Sequence, residues 1–192
     1  MSRPRSFWMR WRVRAAYPLA LIFWVLAAAT PRSILLGAII AAIGLFIRGA
    51  AAGHLRKDQE LATTGPYART RNPLYLGSAF LAAGFMVAGR SWWAGALVAA
   101  YFAIFYSAVM RNEEEDLRAR FGGAFSQYAA RVPLFFPFWF GAKYELGGAG
   151  NRQESFSWEQ YQRNREYRAL LGTIAGLIAL GLRIWVRLRL GY

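Results

Sequence analysis

Four long apolar stretches in this 192-residue sequence restrict its fold more than any other feature. A helix needs about 20 mostly apolar residues to cross a bilayer, and its backbone polar groups must be satisfied within the span. The stretches predict spans at residues 15–34, 33–53, 74–89 and 92–110. We therefore expect an all-α, multispanning membrane helical bundle that forms a single domain over residues 1–192.

The composition agrees with a membrane protein and excludes several kinds of site. Hydrophobic residues make up 56% of the chain and charged residues 18%, whereas soluble domains are about one-quarter charged. Without cysteine, and with His54 as the single histidine, the chain cannot form disulfides, a thiolate nucleophile or a histidine-built zinc site, and we expect no metal. The arginines behind the net charge of +14 flank apolar segments, which favours anionic lipids over nucleic acid as partners.

Basic residues concentrate on alternate connections between the expected spans. The connections rich in them contain Arg3, Arg5, Arg10, Arg12, Arg14, Arg56, Lys57, Arg69, Arg71, Arg111, Arg118, Arg120 and Arg131. The opposite connections contain only Arg32 and Arg90. The positive-inside rule then places the N-terminus and residues 54–73 and 111–137 on the cytoplasmic side of what we interpret as a bacterial inner membrane.

The C-terminal part of the sequence is open to two interpretations. Residues 169–190 are long enough for a fifth span, but Arg183 and Arg187 would then lie at the far interface, against the charge rule. A helix lying in the interface avoids this conflict, so the bundle has four to five transmembrane helices. Residues 151–168 are polar and predict an amphipathic surface helix. Arg48, near the end of the second span, is expected to extend towards the lipid headgroups.

Two polar segments, 65–77 and 111–137, flank the third and fourth spans. A short helical hairpin joins them, so they can meet in one site at the membrane surface. Successive helical residues turn by about 100°, so the adjacent acids of 113–115 cannot all face solvent. An inward acid needs a partner, and Arg71 is available.

The two segments carry motifs of a known family. The stretches "GPYARTRNPLYLG" and "EEEDLRARFGGAFSQYAARVPLFFP" resemble the isoprenylcysteine carboxyl methyltransferases and their relatives, the phospholipid N-methyltransferases, over about residues 40–137. The matching positions are Gly65, Tyr67, Arg71, Pro73, Tyr75, Gly77, Glu113, Glu114, Leu117, Phe121, Gly122, Tyr128, Val132 and Pro133. Asn72 and Phe125 depart from the family, which usually has histidine and tyrosine there.

The resemblance implies an integral membrane enzyme that uses S-adenosylmethionine, bound by cytoplasmic loops and short helices. It implies catalytic roles for Arg71, Glu113 and Tyr75. The residues implied in cofactor binding are Tyr67, Arg71, Asn72, Pro73, Tyr75, Leu76, Gly77, Glu113, Glu114 and Tyr128. Their chemistry fits such a ligand: an acid can receive the amino group, Arg71 the carboxylate, and aromatic rings the sulfonium or the adenine.

The methyl acceptor stays open at this point. We expect a lipophilic small molecule or a lipid-modified substrate that enters from the bilayer. A carboxylate acceptor is already ionised at neutral pH, whereas an amine must first lose a proton. Because asparagine does not titrate near neutral pH, Asn72 favours an acceptor that needs no base. A phospholipid N-methyltransferase and a non-catalytic membrane scaffold are the alternatives.

Overall fold

The computed structural model describes residues 5–56, 60–137 and 155–190, and within these ranges it contains helices and no strand. The helices are α1 (Arg5–Leu26), α2 (Pro31–His54), α3 (Pro73–Gly89), α4 (Trp92–Arg131), α5 (Trp158–Arg163) and α6 (Tyr167–Leu190), with a short 3₁₀ helix at Gly65–Ala68. The expected all-α fold is confirmed. Parts of the expected segments 54–73 and 151–168, namely 57–59 and 151–154, lie outside the described residues.

Three of the described helices, α2, α4 and α6, are long and apolar enough to cross a membrane. The stretch Arg14–Leu26 of α1 and the whole of α3 are shorter apolar helices. The structure thus contains the helices that a multispanning membrane protein requires. Which of them cross, including the fifth span expected at 169–190, stays a prediction.

The end of α1 differs from the first expected span, 15–34, because α1 stops at Leu26 and α2 begins at Pro31. Proline is favourable in the first turn of a helix, where its missing N–H costs nothing. Thr30 and Ser33 then exchange hydrogen bonds, Thr30 N–H to Ser33 Oγ at 2.9 Å and Ser33 N–H to Thr30 Oγ1 at 3.2 Å. This reciprocal cap satisfies donors that a helix start leaves unpaired.

The described residues of 1–43, 79–112 and 171–192 form one compact unit. Its buried core includes Phe23, Ala27, Ala88 and Leu180. The helices α2 and α3 touch at backbone distance here, because a Cβ added to Gly84 would lie 2.6 Å from the carbonyl oxygen of Gly37. Such close packing of small residues is typical of helices in membranes.

Arg183 lies in this unit and has a protein partner at the end of α1. Its Nε donates to the carbonyl of Ala27 at 2.8 Å, and its guanidinium also contacts the carbonyl of Val25. The last carbonyls of a helix lack intrahelical partners and carry partial negative charge. A cation within the apolar sequence of α6 is therefore satisfied by protein.

The described residues of 44–78 and 113–170 form a second compact unit. Within it, α4 is interrupted at Gly122, whose φ of 50° and ψ of −118° are not helical. The motif Phe121-Gly122-Gly123 predicts such an interruption. After the break, Phe125, Tyr128 and Val132 form a buried apolar cluster against Leu61 and Leu117.

The described part of the polar C-terminal segment, residues 155–168, is not one continuous helix as expected for 151–168. Trp158–Arg163 form the short helix α5, and a turn at residues 164–166 separates it from α6, which begins at Tyr167. Arg165 has a φ of 54°, which ends the helix. Glu166 is buried, so the segment is not a solvated face along its whole length.

Candidate functional site

The polar segment 65–77 and residues 113–137 of the second polar segment meet in the second unit. The backbone N–H of Arg71 donates to the carbonyl of Pro133 at 2.9 Å. The hydroxyl of Thr70 donates to the carbonyl of Phe135 at 2.9 Å, and the side-chain amide of Asn72 to that of Leu134 at 3.0 Å. These bonds join residues more than sixty positions apart in the chain and hold the start of α3 against the end of the second motif.

The acids of the second motif contact residues of the first. Glu114 forms an ion pair with Arg71, and the two side chains are 22% and 15% exposed. Oε1 of the exposed Glu113 accepts a hydrogen bond of 2.6 Å from the Tyr75 hydroxyl. Glu114 is thus the inward acid that the helical geometry required, and Arg71 is its partner. Two motif contacts lie side by side on adjacent residues of α4.

Tyr67 and Tyr128 form the buried side of the site. The Tyr128 hydroxyl donates to the carbonyl of Tyr67 at 2.7 Å, and Tyr128 is 2% exposed. Burial raises the pKa of the Tyr67 phenol well above its ordinary value; Tyr128, Glu113 and Glu166 raise this pKa further, and Arg48 partly offsets them. Tyr67 therefore stays a neutral phenol and cannot act as a general base near neutral pH.

Four residues expected at the cofactor have clear packing contacts of their own. The Asn72 amide joins the two motifs, and Pro73 and Leu76 are buried at the start of α3. A Cβ on Gly77 would lie 2.7 Å from the carbonyl oxygen of Gly44, so this glycine allows α3 to approach α2 closely. Their contact with a cofactor stays a prediction.

The sequence did not indicate that Arg48 is part of this region, and its expected position near the lipid headgroups stays a prediction. Its guanidinium forms an ion pair with Glu166, contacts Ser78 Oγ and donates to the carbonyl of Leu74 at 3.3 Å. An arginine within an apolar helix requires a partner, which is the available sequence signal. The partner is 118 residues away along the chain, so the pattern does not identify it.

Residues 155–166 also pack on the end of α2. The side-chain amide of Asn164 donates to the carbonyls of Ala52 and Leu55, both at 2.9 Å. The backbone N–H of Ser157 donates to the carbonyl of Gly53 at 3.0 Å. Carbonyls that a helix end leaves unpaired are thus satisfied by the C-terminal segment.

Arg71 and Glu113 are suited to bind a ligand that carries one negative and one positive charge. Arg71 Nε is buried and has no hydrogen-bond partner among the described residues, although its guanidinium is paired with Glu114. Glu113 is exposed, and a carboxylate offers two acceptor oxygens. An amino acid moiety, with one carboxylate and one ammonium, matches this donor and acceptor. No group of three or more metal-ligating side chains occurs in the part of the chain that the structure describes.

Comparison with known proteins agrees with the motif resemblance. Residues 32–124 match the family model described as phospholipid methyltransferase. This match covers just under half of the chain and supports the resemblance to the phospholipid methyltransferase family. The matched range includes Arg71, Tyr75, Glu113 and Glu114, and it ends before Phe125 and Tyr128 of the buried cluster. No solved structure matches the chain.

Two curated relatives of this chain are named for metal resistance. The nickel-cobalt-cadmium resistance protein NccN of Alcaligenes xylosoxydans xylosoxydans is 38% identical over 108 residues, which cover 54% of this chain and 47% of the relative. The cobalt-zinc-cadmium resistance protein CzcN of Cupriavidus metallidurans is 36% identical with the same coverage. The chain thus spans about half the length of the curated relatives it matches.

Proposed function

We propose that the protein is an integral membrane methyltransferase that uses S-adenosylmethionine to methylate a lipophilic acceptor. The family match supports methyl transfer, and the apolar helices α2, α4 and α6 support a membrane location. The observation that carries the proposal is the pairing of Arg71 with Glu114 beside that of Tyr75 with Glu113. Residues that match both motifs of such enzymes lie together in one unit.

The site residues have distinct parts in this proposal. Glu113 receives the ammonium of the cofactor and Arg71 its carboxylate, through the buried Nε that lacks a partner among the described residues. The rings of Tyr67 and Tyr75 provide aromatic surface for a cation or a purine. S-adenosylmethionine, when bound, supplies a methyl group on a positively charged sulfur. Because the displacement is in line, orientation by these residues accounts for much of the rate increase.

The acceptor reaches the site from the bilayer in this proposal, and anionic lipids surround the basic residues. We place the N-terminus and the site on the cytoplasmic side of a bacterial inner membrane, since arginines cluster on those connections. A carboxylate acceptor, as in the isoprenylcysteine carboxyl methyltransferases, needs no proton removed. Asn72 supports it, because its amide donates to a backbone carbonyl and cannot serve as a base.

An amine acceptor, as in a phospholipid N-methyltransferase, is the second candidate, and the charges in the unit favour it. Arg48 and Arg71 are each paired with an acid, Glu166 and Glu114. Glu113 is a further acid of the site, hydrogen-bonded to the hydroxyl of Tyr75. In this candidate the Glu113 carboxylate attracts the amine acceptor and accepts its proton, instead of binding the ammonium of the cofactor. The metals in the names of the curated relatives are no part of either candidate.

Cofactor binding tests the proposal against the non-catalytic scaffold. We expect the detergent-purified protein to bind S-adenosylhomocysteine in calorimetry, and the Glu113→Ala, Glu114→Ala double variant to lose this binding. The matched control is Glu115→Ala, which removes an exposed acid from the same turn of α4. No binding by the unmutated protein would favour the scaffold.

The lability of the transferred methyl group separates the two acceptors. Membranes that contain the protein are incubated with methyl-labelled cofactor, and the lipids are extracted. Label released by mild base indicates a methyl ester and thus a carboxylate acceptor. Label that stays in a headgroup after base treatment indicates an amine. Membranes with the Glu113→Ala, Glu114→Ala variant serve as the control.

A further inference from the structure

We propose that Arg48 and Glu166 are a positioning pair for the methyl-transfer site: together they hold the first turn of α3 and fix the C-terminal segment to α2. This inference rests on the proposed function. Neither residue belongs to the two motifs that define the site, and Glu166 lies beyond the range of the family match. The pair acts through other residues and is not assigned contact with cofactor or acceptor.

The first step is the contact of Arg48 with α3. The guanidinium donates to the carbonyl of Leu74 at 3.3 Å and contacts Ser78 Oγ. Ser78 Oγ also donates to the carbonyl of Leu74 at 3.0 Å. Tyr75 follows Leu74 directly, and its hydroxyl donates to Glu113 at 2.6 Å. A change in the position of Arg48 therefore reaches Tyr75, and with it the Tyr75–Glu113 hydrogen bond, through the adjacent peptide group of Leu74.

The second step is the tight fit between α2 and α3 at this point. A Cβ on Gly77 would lie 2.5 Å from Cγ of Arg48 and 2.7 Å from the carbonyl oxygen of Gly44. Both distances are far below normal carbon contact distances, so the glycine is required for the observed approach. The stem of Arg48 is thus confined beside α3, and its guanidinium has little freedom to choose another partner.

The third step is the burial of Glu166. This residue is 9% exposed, and its neighbour Asn164 is bonded to the carbonyls of Ala52 and Leu55 at the end of α2. The docked segment therefore sets the place of the carboxylate. Removing one member of a buried ion pair leaves the other charge uncompensated, which is more harmful than removing both. The two residues should consequently behave as a unit.

The pair and the site also share one electrostatic environment. Arg48, Glu166 and Glu113 all influence the pKa of the Tyr67 phenol, which burial raises above its ordinary value. Tyr67 is itself bonded through its carbonyl to Tyr128 of the second motif. Loss of either charge of the pair thus changes the electrostatic field at Tyr67, on the buried side of the site. It also changes the contact that holds the backbone of α3 at Leu74.

A double-mutant cycle with S-adenosylhomocysteine as the probe tests this inference. We expect Glu166→Gln and Arg48→Gln each to weaken the affinity measured by calorimetry by at least about tenfold, as loss of site alignment does. The double variant should bind no more weakly than the worse single variant, because the two substitutions remove one interaction. The control is Glu159→Gln, which changes an exposed acid in the same segment.

The outcomes distinguish this inference from the proposed function. If the wild-type protein binds the probe and both single variants bind it with the same affinity, the positioning pair is overturned and the methyltransferase proposal stays intact. The same holds if the affinity losses of the two single variants multiply in the double variant. Absence of binding by the wild-type protein overturns both.

If the single variants do not yield monodisperse protein, Ser78→Ala replaces them, since it removes one contact of Arg48. It should weaken binding roughly threefold, and unchanged affinity in that variant also overturns the inference.

Discussion

Three arginines within or next to apolar segments have specific partners in the described structure. Arg71 is paired with Glu114, Arg48 with Glu166, and Arg183 with the last carbonyls of α1. An unpaired charge away from water is far costlier than a paired one. At the scale of single residues, the free-energy cost of an unpaired charge favours the arginine conformations that reach a partner. Two of these three pairings lie in the unit that contains the site.

The pH dependence of stability tests the burial of Tyr67. Because burial raises the pKa of Tyr67, its contribution to stability is fully present below the ordinary tyrosine pKa of about 10 and is lost as the pH rises above it. We expect Tyr67→Phe to lose less thermal stability than the wild type between about pH 9 and pH 11. The measurement is the apparent Tm in detergent across this range.

Tyr167→Phe is the control for the Tyr67 prediction. Tyr167 is 41% exposed, whereas Tyr67 is 7% exposed. We expect the Tyr167→Phe variant to follow the wild-type profile. An alkaline loss of stability that is the same in Tyr67→Phe and in the wild type would contradict the assigned burial.

Helix ends, rather than helix interiors, shape the site at the scale of the elements. The cap at Thr30 and Ser33 begins α2, and residues 155–166 satisfy the carbonyls at its other end. Pro73 begins α3 directly after the motif residues Arg71 and Asn72. In α4, the break at Gly122 redirects the chain between Glu113–Glu114 and the buried Tyr128. Local stop and start signals thus bring the motif residues to their contacts.

Substitution of the two adjacent glycines of α4 tests the break. Gly122 has a φ of +50°, and neither Gly122 nor Gly123 has an atom within 4 Å of an added Cβ. Space is therefore equal at the two positions, and only the backbone conformation differs. We expect Gly122→Ala to destabilise the protein by about 1–3 kcal/mol, because L-residues rarely adopt that conformation. Gly123→Ala should be close to neutral. Apparent unfolding free energies or Tm values in detergent check this, and equal effects would contradict the break.

The described chain divides into two compact units, and the site contacts all lie in the second. Both units draw on residues from distant parts of the sequence, since each combines separate ranges of the chain. The first contains closely packed apolar helices and the second contains the paired acids and arginines. At the scale of the molecule, the division separates helix packing from the polar chemistry.

Cysteine labelling tests the proposed orientation, and the absence of cysteine from the sequence removes any background. We expect Ser126→Cys, after the break in α4, to react with a membrane-impermeant maleimide only when the cytoplasmic face is accessible. Ser91→Cys, in the connection between α3 and α4, should react from the outside of intact cells. The physical reason is the excess of arginine near Ser126 and its scarcity near Ser91. Labelling of both positions from the same side would contradict the orientation.

Much of the helical pattern was predictable because its signals are local. The apolar stretches at 33–53, 74–89 and 92–110 correspond to α2, α3 and the first part of α4, since hydropathy and helical length are properties of contiguous residues. The first expected span crosses the end of α1, because a uniform apolar composition conceals the cap at Thr30 and Ser33. The helix expected at 151–168 is interrupted in the described residues by the turn at 164–166, because the polar composition reveals neither that turn nor the burial of Glu166.

By itself, the sequence determined an all-helical class and a resemblance to a methyltransferase family, which the family-model match to residues 32–124 supports, because apolar runs and motif spacings are read along the chain. It also required that one acid of the run 113–115 face inward. Only the tertiary structure decided that this acid is Glu114, that Arg48 pairs with Glu166, and that the Asn72 amide joins the two motifs. The physical reason is that such bonds join residues distant in sequence, and their partners are selected by the packing of the helices rather than by any local pattern.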